Sequence, residues 1–176
     1  MGRSGSGPAG PGPGRYNGGP LRLTPAAANR IVFVLALVGA GVALYLTMAH
    51  MNYLALTCGE IAGCAEVAAH PTSRGFGIRG LEYIPTAAFG LLMFVCMAAL
   101  SFVRASTRHE LTGARVATGQ LVLAAAAVCA SAYLTYLEAF VIHAWCQWCI
   151  ISAVVTVLML FTLILTKPAR QESGGI

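Results

Sequence analysis

The stretch "WCQWCIISAVVTVLMLFTLILT", residues 145–166, decides the class of fold. It contains no charged residue, and it is as long as the roughly 20 residues that a helix needs to cross a bilayer. Three other runs share this character, at residues 31–50, 84–103 and 116–142, and Glu138 is the only charged residue in them. The sequence therefore predicts an all-α integral membrane protein, built as a bundle of four transmembrane helices.

The composition of the whole chain excludes an ordinary soluble domain. Hydrophobic residues make up 57% of the 176 residues and charged residues only 10%, whereas soluble domains carry roughly 25% charged residues. Residues 1–24 are rich in Gly, Pro and Ser, which is typical of a disordered tail. We therefore expect one membrane domain over residues 25–167, flanked by this tail and by a second tail over residues 168–176.

Basic residues next to the four runs predict how the chain is oriented. If the chain crosses the membrane four times, nine of its eleven Lys and Arg residues fall on one side, and such a side is normally cytoplasmic. Both termini are then cytoplasmic, and the connections after the first and third helices are extracytoplasmic. This bias explains the net charge of +5, so the charge does not indicate a nucleic-acid partner.

Four of the six cysteines fall on the extracytoplasmic side, where disulfides are favoured. Cys58 and Cys64, here called the loop pair, lie in "CGEIAGC" after the first helix, and the glycines let this segment bend. The following "CAEVAAH" predicts a short helix that ends before Pro71. Cys146 and Cys149, here called the inner pair, open the fourth helix. Two neighbouring dithiol pairs can pass electrons by thiol–disulfide exchange.

The inner pair stands at the boundary between water and lipid. Residues three apart share one face of a helix, and the first turn of a helix stabilises a thiolate through its unpaired N–H groups. Such a dithiol can meet a water-borne partner on one side and a lipid-dissolved molecule on the other. The other two cysteines, Cys96 and Cys129, are expected to be small packing residues. Gly39 and Gly41 are expected where helices pack closely.

The order of these motifs resembles the vitamin K epoxide reductase family, specifically its bacterial stand-alone members, over about residues 31–165. The matching elements are the loop pair, "RGFGI" at residues 74–78, "IPTAAFG" at residues 84–90 and the Cys-x-x-Cys that opens the fourth helix. The resemblance implies an extracytoplasmic cysteine loop between helices 1 and 2 and a quinone near the inner pair. It also implies a location in the cytoplasmic membrane of a bacterium.

The resemblance further implies a role for each cysteine. Cys58 and Cys64 match the shuttle pair of the family, and Cys146 and Cys149 match its active pair, with Cys149 reacting with the quinone. Electrons would run from a reduced thioredoxin-fold partner through both pairs to ubiquinone or menaquinone, supporting disulfide-bond formation in exported proteins. The chain stops soon after the fourth helix, so we expect this partner to be a separate extracytoplasmic protein.

Beside Cys149, several residues are candidates for contact with the quinone. They are Trp145, Trp148, His70, Phe89 and Tyr133. The tryptophans also suit an interfacial belt, and Tyr133, like Tyr136, also suits packing. His70 stands where many members carry Ser. After the inner pair, "IISAV" replaces the Thr-Tyr-Ala stretch of the vertebrate enzymes, which argues against a dedicated epoxide reductase.

The sequence leaves open the roles of two polar residues and two other functions of the protein. Glu138 is costly in lipid unless it faces water or a partner, so a solvated and a functional position are both consistent with the sequence. His143 could stabilise a thiolate, relay a proton or simply meet water. The competing functions are a zinc-type metal site made by the four outer cysteines with His70 or His143 and a non-catalytic tetraspan protein with static disulfides. We expect no metal, because the inner pair is poised at lipid.

Overall fold

The computed structural model describes residues 24–59, 63–107 and 110–166, which are largely helical. Five α-helices follow one another in the order α1 Pro25–His50, α2 Cys64–Ala69, α3 Thr86–Ser106, α4 Glu110–Leu137 and α5 Gln147–Leu165. One π-helical turn, Glu138–Ile142, extends α4. The predicted tails, residues 1–24 and 168–176, lie outside the described residues except for Thr24.

Four helices are long and apolar enough to cross a membrane, which confirms the four predicted spans. They are Pro25–His50, Thr86–Ser106, Leu111–Ile142 and Gln147–Leu165. The first helix begins ahead of its apolar run, because the Thr24 hydroxyl accepts a hydrogen bond from the Ala27 N–H at 3.2 Å and so caps the helix. Pro25 suits the first helical position. The chain is therefore a multi-pass membrane protein.

The four long helices form a bundle in which α1 packs mainly against α3 and α5, and α4 packs against the same two helices. The core between them is apolar and includes Val32, Phe94, Met97, Ala124 and Met159. Large apolar side chains also cover the outside of the bundle, among them Leu92, Phe102, Val122 and Phe161. An apolar outer surface is what a bilayer requires of a bundle that it surrounds.

Small residues bring α1 and α3 close together at one of the two predicted positions. A Cβ atom on Gly39 would overlap the ring of Phe94, whereas a Cβ atom on Gly41 would meet nothing within 4 Å. The prediction of close packing is therefore confirmed for Gly39 and wrong for Gly41. Gly41 is exposed on the outside of the bundle.

A buried polar network ties three helices together at the end of the bundle where α1 begins. Gln120 on α4 donates to the Ser101 hydroxyl of α3 at 2.8 Å and to the Asn29 side-chain oxygen of α1 at 3.4 Å. Asn29 in turn donates to the Ser101 carbonyl at 2.8 Å, and Arg104 donates to Gln120 at 3.0 Å. Hydrogen bonds between helices fix their register inside a membrane.

The opposite end of the bundle carries the cysteines, and it is called the cysteine end below. Between α1 and α3 the chain forms the short helix α2, as predicted from "CAEVAAH", and then two 3₁₀ turns, Pro71–Ser73 and Gly75–Gly77. Thr86 at the start of α3 holds these turns, since its hydroxyl donates to the Thr72 carbonyl at 2.7 Å and accepts the Phe76 N–H at 3.1 Å. Gly75 has a φ of +54°, and a side chain there would run into the Leu81 backbone.

Candidate active site

A cavity of about 310 Å³ opens inside the bundle at the cysteine end. Its walls are mostly apolar residues of α1, α3 and α4, including Leu46, Phe89, Phe94, Leu123 and Ala127. Cys64, Cys146, Cys149 and Glu138 also line it. This volume lies within the range of roughly 300–1,000 Å³ that small-molecule sites occupy. An apolar chamber that carries thiols and one carboxyl group suits a flat, apolar molecule with polar oxygen atoms.

The inner pair is built by the start of α5. Cys146 is the N-cap residue of this helix, and the Cys149 backbone N–H donates to the Cys146 sulfur at 3.4 Å. Both thiols therefore lie at the first turn of α5, as the sequence predicts. Cys146 is buried and Cys149 is partly buried, and neither forms a disulfide in this structure.

The surroundings of Cys146 favour its thiolate form. The hydrogen bond from the Cys149 thiol is the main cause that lowers the pKa of Cys146, and the backbone N–H groups of Cys149 and Trp148 contribute in the same direction. Burial and the charge of the Glu138 carboxylate act against this shift. Cys146 lies outside the membrane-spanning helices, in the turn between α4 and α5. A thiol with a lowered pKa is a better leaving group in disulfide exchange.

Glu138 belongs to the site, so the solvated interpretation of this residue is wrong. Its side chain is only 3% exposed, and its Oε2 atom accepts the Cys146 backbone N–H at 3.1 Å. The π-helical turn Glu138–Ile142 is capped by His143, whose left-handed φ of 56° turns the chain toward α5. Single π turns in helices are frequent at functional sites. Here the turn brings the carboxyl group back beside the inner pair.

Glu138, Cys146 and Cys149 also form the one group of possible metal ligands found among the described residues. One oxygen and two sulfur atoms lie within 4.8 Å of one another. A thiophilic divalent cation accepts such a donor set. The metal site considered above would need four thiolates, but Cys58 and Cys64 are joined in a disulfide and offer none in this structure.

The loop pair lies next to the inner pair. Cys58 and Cys64 form a disulfide with their Cα atoms 6.1 Å apart. Cys64 is completely buried and lines the cavity together with Cys146 and Cys149. Gly63 allows this approach, because a Cβ atom there would lie only 2.7 Å from the Trp145 backbone nitrogen. Cys64 of the loop pair therefore borders the same cavity as both inner thiols.

A family model described as the vitamin K epoxide reductase family matches residues 30–164. The chain belongs to the vitamin K epoxide reductase family. This match spans all four membrane helices, both 3₁₀ turns and both cysteine pairs. A comparison with curated proteins returned no match. Membership makes the protein a membrane thiol oxidoreductase, and the vitamin K epoxide reductase fold is the four-helix bundle described above.

The other predicted quinone contacts fall in different places around this vitamin K epoxide reductase cavity. Phe89 lines the cavity, and its ring lies 5.6 Å from that of Phe76. The other four are absent from the cavity wall: Trp145, Trp148, His70 and Tyr133. Trp145 and Tyr133 are 44% and 48% exposed, and His70 shares a 2.8 Å hydrogen bond with Thr72. These contacts are not carried into the proposal below.

Three further predictions can be compared with the structure. Cys96 and Cys129 are exposed on the outside of the bundle, so the expectation that they fill gaps in the core is wrong. Both still lie away from the thiol groups of the site. His143 is exposed and does not line the cavity, which agrees with a residue that meets water.

Sequence analysis left Glu138 open between a solvated and a functional position. Glu138 is the only charged residue in the four apolar runs, and an ionisable residue at membrane depth is by default a candidate functional residue. Its distance from Cys146 along the chain gave no indication of contact, because the intervening π turn changes the direction of the backbone. Tyr45 and Thr57, which hold the loop beside the inner pair, carried no signal of this kind.

Proposed function

We propose that the protein is a quinone-dependent thiol:disulfide oxidoreductase. Electrons pass from a reduced thioredoxin-fold partner to the loop pair, then to the inner pair, and then to ubiquinone or menaquinone. The reaction supports disulfide-bond formation in exported proteins. One observation carries the proposal: Cys64, Cys146 and Cys149 all border the same apolar cavity.

The first internal step is an exchange between the two cysteine pairs. The Cys64 thiolate attacks the Cys146 sulfur of the oxidised inner pair, which breaks the bond between Cys146 and Cys149 and leaves Cys149 as a thiolate. Cys58 then attacks Cys64, closes the loop disulfide and releases Cys146 as a thiolate. Two electrons have then moved to the inner pair, and its two thiolates take up the two protons that Cys58 and Cys64 gave up. The lowered pKa of Cys146 favours its release.

This order assigns different roles to the two loop cysteines. Cys64 is completely buried against the cavity, whereas Cys58 is partly exposed. Disulfide exchange needs access to the sulfur that is attacked. Cys58 is therefore the residue that receives electrons from the protein partner, and Cys64 is the one that passes them to Cys146.

The second internal step reoxidises the inner pair. A quinone in the cavity would supply an acceptor for two electrons and two protons. The family resemblance assigns the reaction with quinone to Cys149, and the position of Cys149 at the cavity, in the first turn of α5, supports this role. As the bond between Cys146 and Cys149 re-forms, two electrons and two thiol protons leave the pair. Glu138, which lies within 4.8 Å of both sulfur atoms, takes up the proton of the Cys149 thiol.

The proposal includes an orientation in the cytoplasmic membrane of a bacterium. The cysteine end faces the extracytoplasmic side, and both termini are cytoplasmic. The distribution of Lys and Arg supports this orientation, as does the need of two disulfide-forming pairs for an oxidising compartment. Impermeant thiol labelling in intact cells tests it, with single cysteines placed at Arg74 and at Arg115. Labelling at Arg115 and protection at Arg74 would reverse the orientation.

The activity itself is tested by following quinone reduction with a reduced thioredoxin-fold protein as electron donor. Cys146→Ser and Cys149→Ser should each abolish turnover. Cys58→Ser and Cys64→Ser should abolish turnover with the protein donor but leave oxidation of a small dithiol that reaches the inner pair. Cys96→Ser and Cys129→Ser are matched controls, because they change exposed thiols outside the site. Full activity of the loop-pair variants with the protein donor would contradict the relay.

A further inference from the structure

The two residues between the inner cysteines contact the chain on both sides of Cys58. The Gly59 backbone N–H donates to the Gln147 side-chain oxygen at 3.2 Å. The indole N–H of Trp148 donates to the Thr57 carbonyl at 3.0 Å. The Cys-x-x-Cys motif therefore carries the inner thiols at its ends and two contacts to the cysteine loop at its centre.

Thr57 is held from a second helix as well. The Thr57 backbone N–H donates to the Tyr45 hydroxyl of α1 at 2.8 Å, and the two hydroxyl groups lie 2.8 Å apart. The rings of Tyr45 and Trp148 pack against each other with their centroids 4.8 Å apart. These contacts fix the segment before Cys58 between α1 and α5. These contacts thus hold the partly exposed loop in one position at the cysteine end of the bundle.

We propose that Gln147 and Trp148 are positioning residues that dock the loop pair onto the inner pair. The inference rests on the relay proposed above. The two central residues of the motif hold the loop backbone at Thr57 and Gly59, on either side of Cys58. Disulfide exchange within one chain depends on the effective concentration of one sulfur near the other, which falls when a linking segment is free to move. Release of the segment around Cys58 therefore slows the exchange between the pairs.

The Trp148 contact explains why the two tryptophans of "WCQWC" differ. Trp148 is partly buried, packs its ring against that of Tyr45 and donates its N–H to the loop. Trp145 is 44% exposed, which fits the interfacial belt considered from the sequence. Trp145 therefore serves as the matched control for a substitution at Trp148.

The test compares Trp148→Phe, Gln147→Met and the double variant with Trp145→Phe. Phe keeps an aromatic ring against Tyr45 but lacks the N–H donor, and Met keeps the length of Gln147 but lacks its oxygen. The double variant should lower quinone reduction driven by the protein donor by about tenfold, since it removes two hydrogen bonds from the loop. Reduction driven by a small dithiol, which acts directly on the inner pair, should change by less than about twofold, as should both assays of Trp145→Phe.

Hydrogen exchange at the Gly59 and Thr57 amides provides a readout that does not require turnover. The double variant should speed exchange at both amides by about tenfold, while amides of α3 remain unchanged. If the wild-type protein reduces no quinone, the proposed function fails, yet accelerated exchange still supports the docking role. Unchanged exchange in the double variant overturns the docking role. An equal fall in the protein-driven and dithiol-driven assays also overturns it, because the substitutions would then act on the inner pair itself.

Discussion

The Glu138 carboxylate accepts a hydrogen bond from the Cys146 backbone N–H over 3.1 Å and so anchors the residue that opens α5. The same carboxylate lies within 4.8 Å of both inner sulfur atoms. One side chain is thus placed both to orient the inner pair and to exchange protons with it. In the glutamine variant these two roles separate, because an amide oxygen can still accept the N–H but an amide does not take up a proton at neutral pH.

Glu138→Gln is therefore expected to fold and to bind quinone normally but to reduce it slowly. We expect kcat to fall roughly 100-fold, a typical loss for a missing general base, with KM for quinone little changed. Steady-state rates at several quinone concentrations measure both. Glu66→Gln is the control, because Glu66 is an exposed acidic residue of α2. A Glu138→Gln protein with full kcat would show that the proton leaves the inner pair by another route.

The pH dependence of alkylation should distinguish the two inner thiols. Because the pKa of Cys146 is lowered, its thiolate should persist at pH values where an ordinary cysteine is protonated, and its alkylation rate should decline only as pH falls through that lowered value. Cys149→Ala removes the main stabilising hydrogen bond and should shift the midpoint to higher pH. In a background of Cys96→Ala and Cys129→Ala, pulses of N-ethylmaleimide followed by peptide fragmentation in a mass spectrometer separate modification of Cys146 from that of Cys149. If the midpoint did not shift in Cys149→Ala, the lowered pKa of Cys146 would come from the helix terminus and not from the Cys149 thiol.

A thiophilic cation should bind the reduced inner pair and not the oxidised one. With Cys58, Cys64, Cys96 and Cys129 replaced by Ser, the reduced protein should bind one Cd²⁺, seen as a thiolate-to-metal absorption band. Oxidation to the Cys146–Cys149 disulfide should abolish binding. Glu138→Gln should weaken it more than about tenfold, since even the loss of an outer partner of a ligand has that effect. Equal affinity with and without the Glu138 carboxylate would limit the site to the two sulfur atoms.

The helices and the position of the inner pair could be predicted because their signals are local. A run such as residues 145–166 has no alternative to a membrane helix, and Cys146 and Cys149 necessarily fall at its start. The short helix α2 likewise follows from a few neighbouring residues. These features depend on hydropathy and backbone freedom, which a sequence displays directly.

Hydropathy could not distinguish the buried face of each membrane helix from its lipid-facing side. In a soluble helix polar residues mark the outer face, but here lipid accepts the same apolar side chains as the core. Cys96 is exposed while its neighbour Met97 is fully buried, and nothing in the surrounding sequence distinguishes them. The contacts of Trp148 and Gln147 with the loop join residues far apart along the chain, so they appear only once the bundle has formed.

The buried network at the far end of the bundle should contribute to stability and not to chemistry. Gln120→Leu removes both hydrogen bonds that Gln120 donates, to Ser101 and Asn29, and leaves Arg104 without its partner. We expect a loss of about 1–2 kcal/mol in the free energy of unfolding, which is typical of hydrogen bonds between membrane helices. Thermal unfolding in detergent measures this loss, with exposed Thr118→Leu as the control. We also expect Gln120→Leu to keep its kcat at temperatures well below its unfolding temperature. A lower kcat under these conditions would show that the network affects the active site.

The last prediction concerns which loop cysteine reaches the inner pair. Cys64 is buried and lines the cavity with Cys146, so the exchange intermediate should join these two sulfur atoms. In Cys58→Ser with Cys149→Ser, both resolving thiols are absent, and a Cys64–Cys146 disulfide should accumulate under mild oxidation. The matched variant, Cys64→Ser with Cys149→Ser, leaves Cys58 and Cys146 and should crosslink far less, because Cys58 does not line the cavity. Peptide mapping by mass spectrometry compares the two yields. A higher yield from Cys58 would reverse the order of the relay, with Cys64 receiving electrons from the partner.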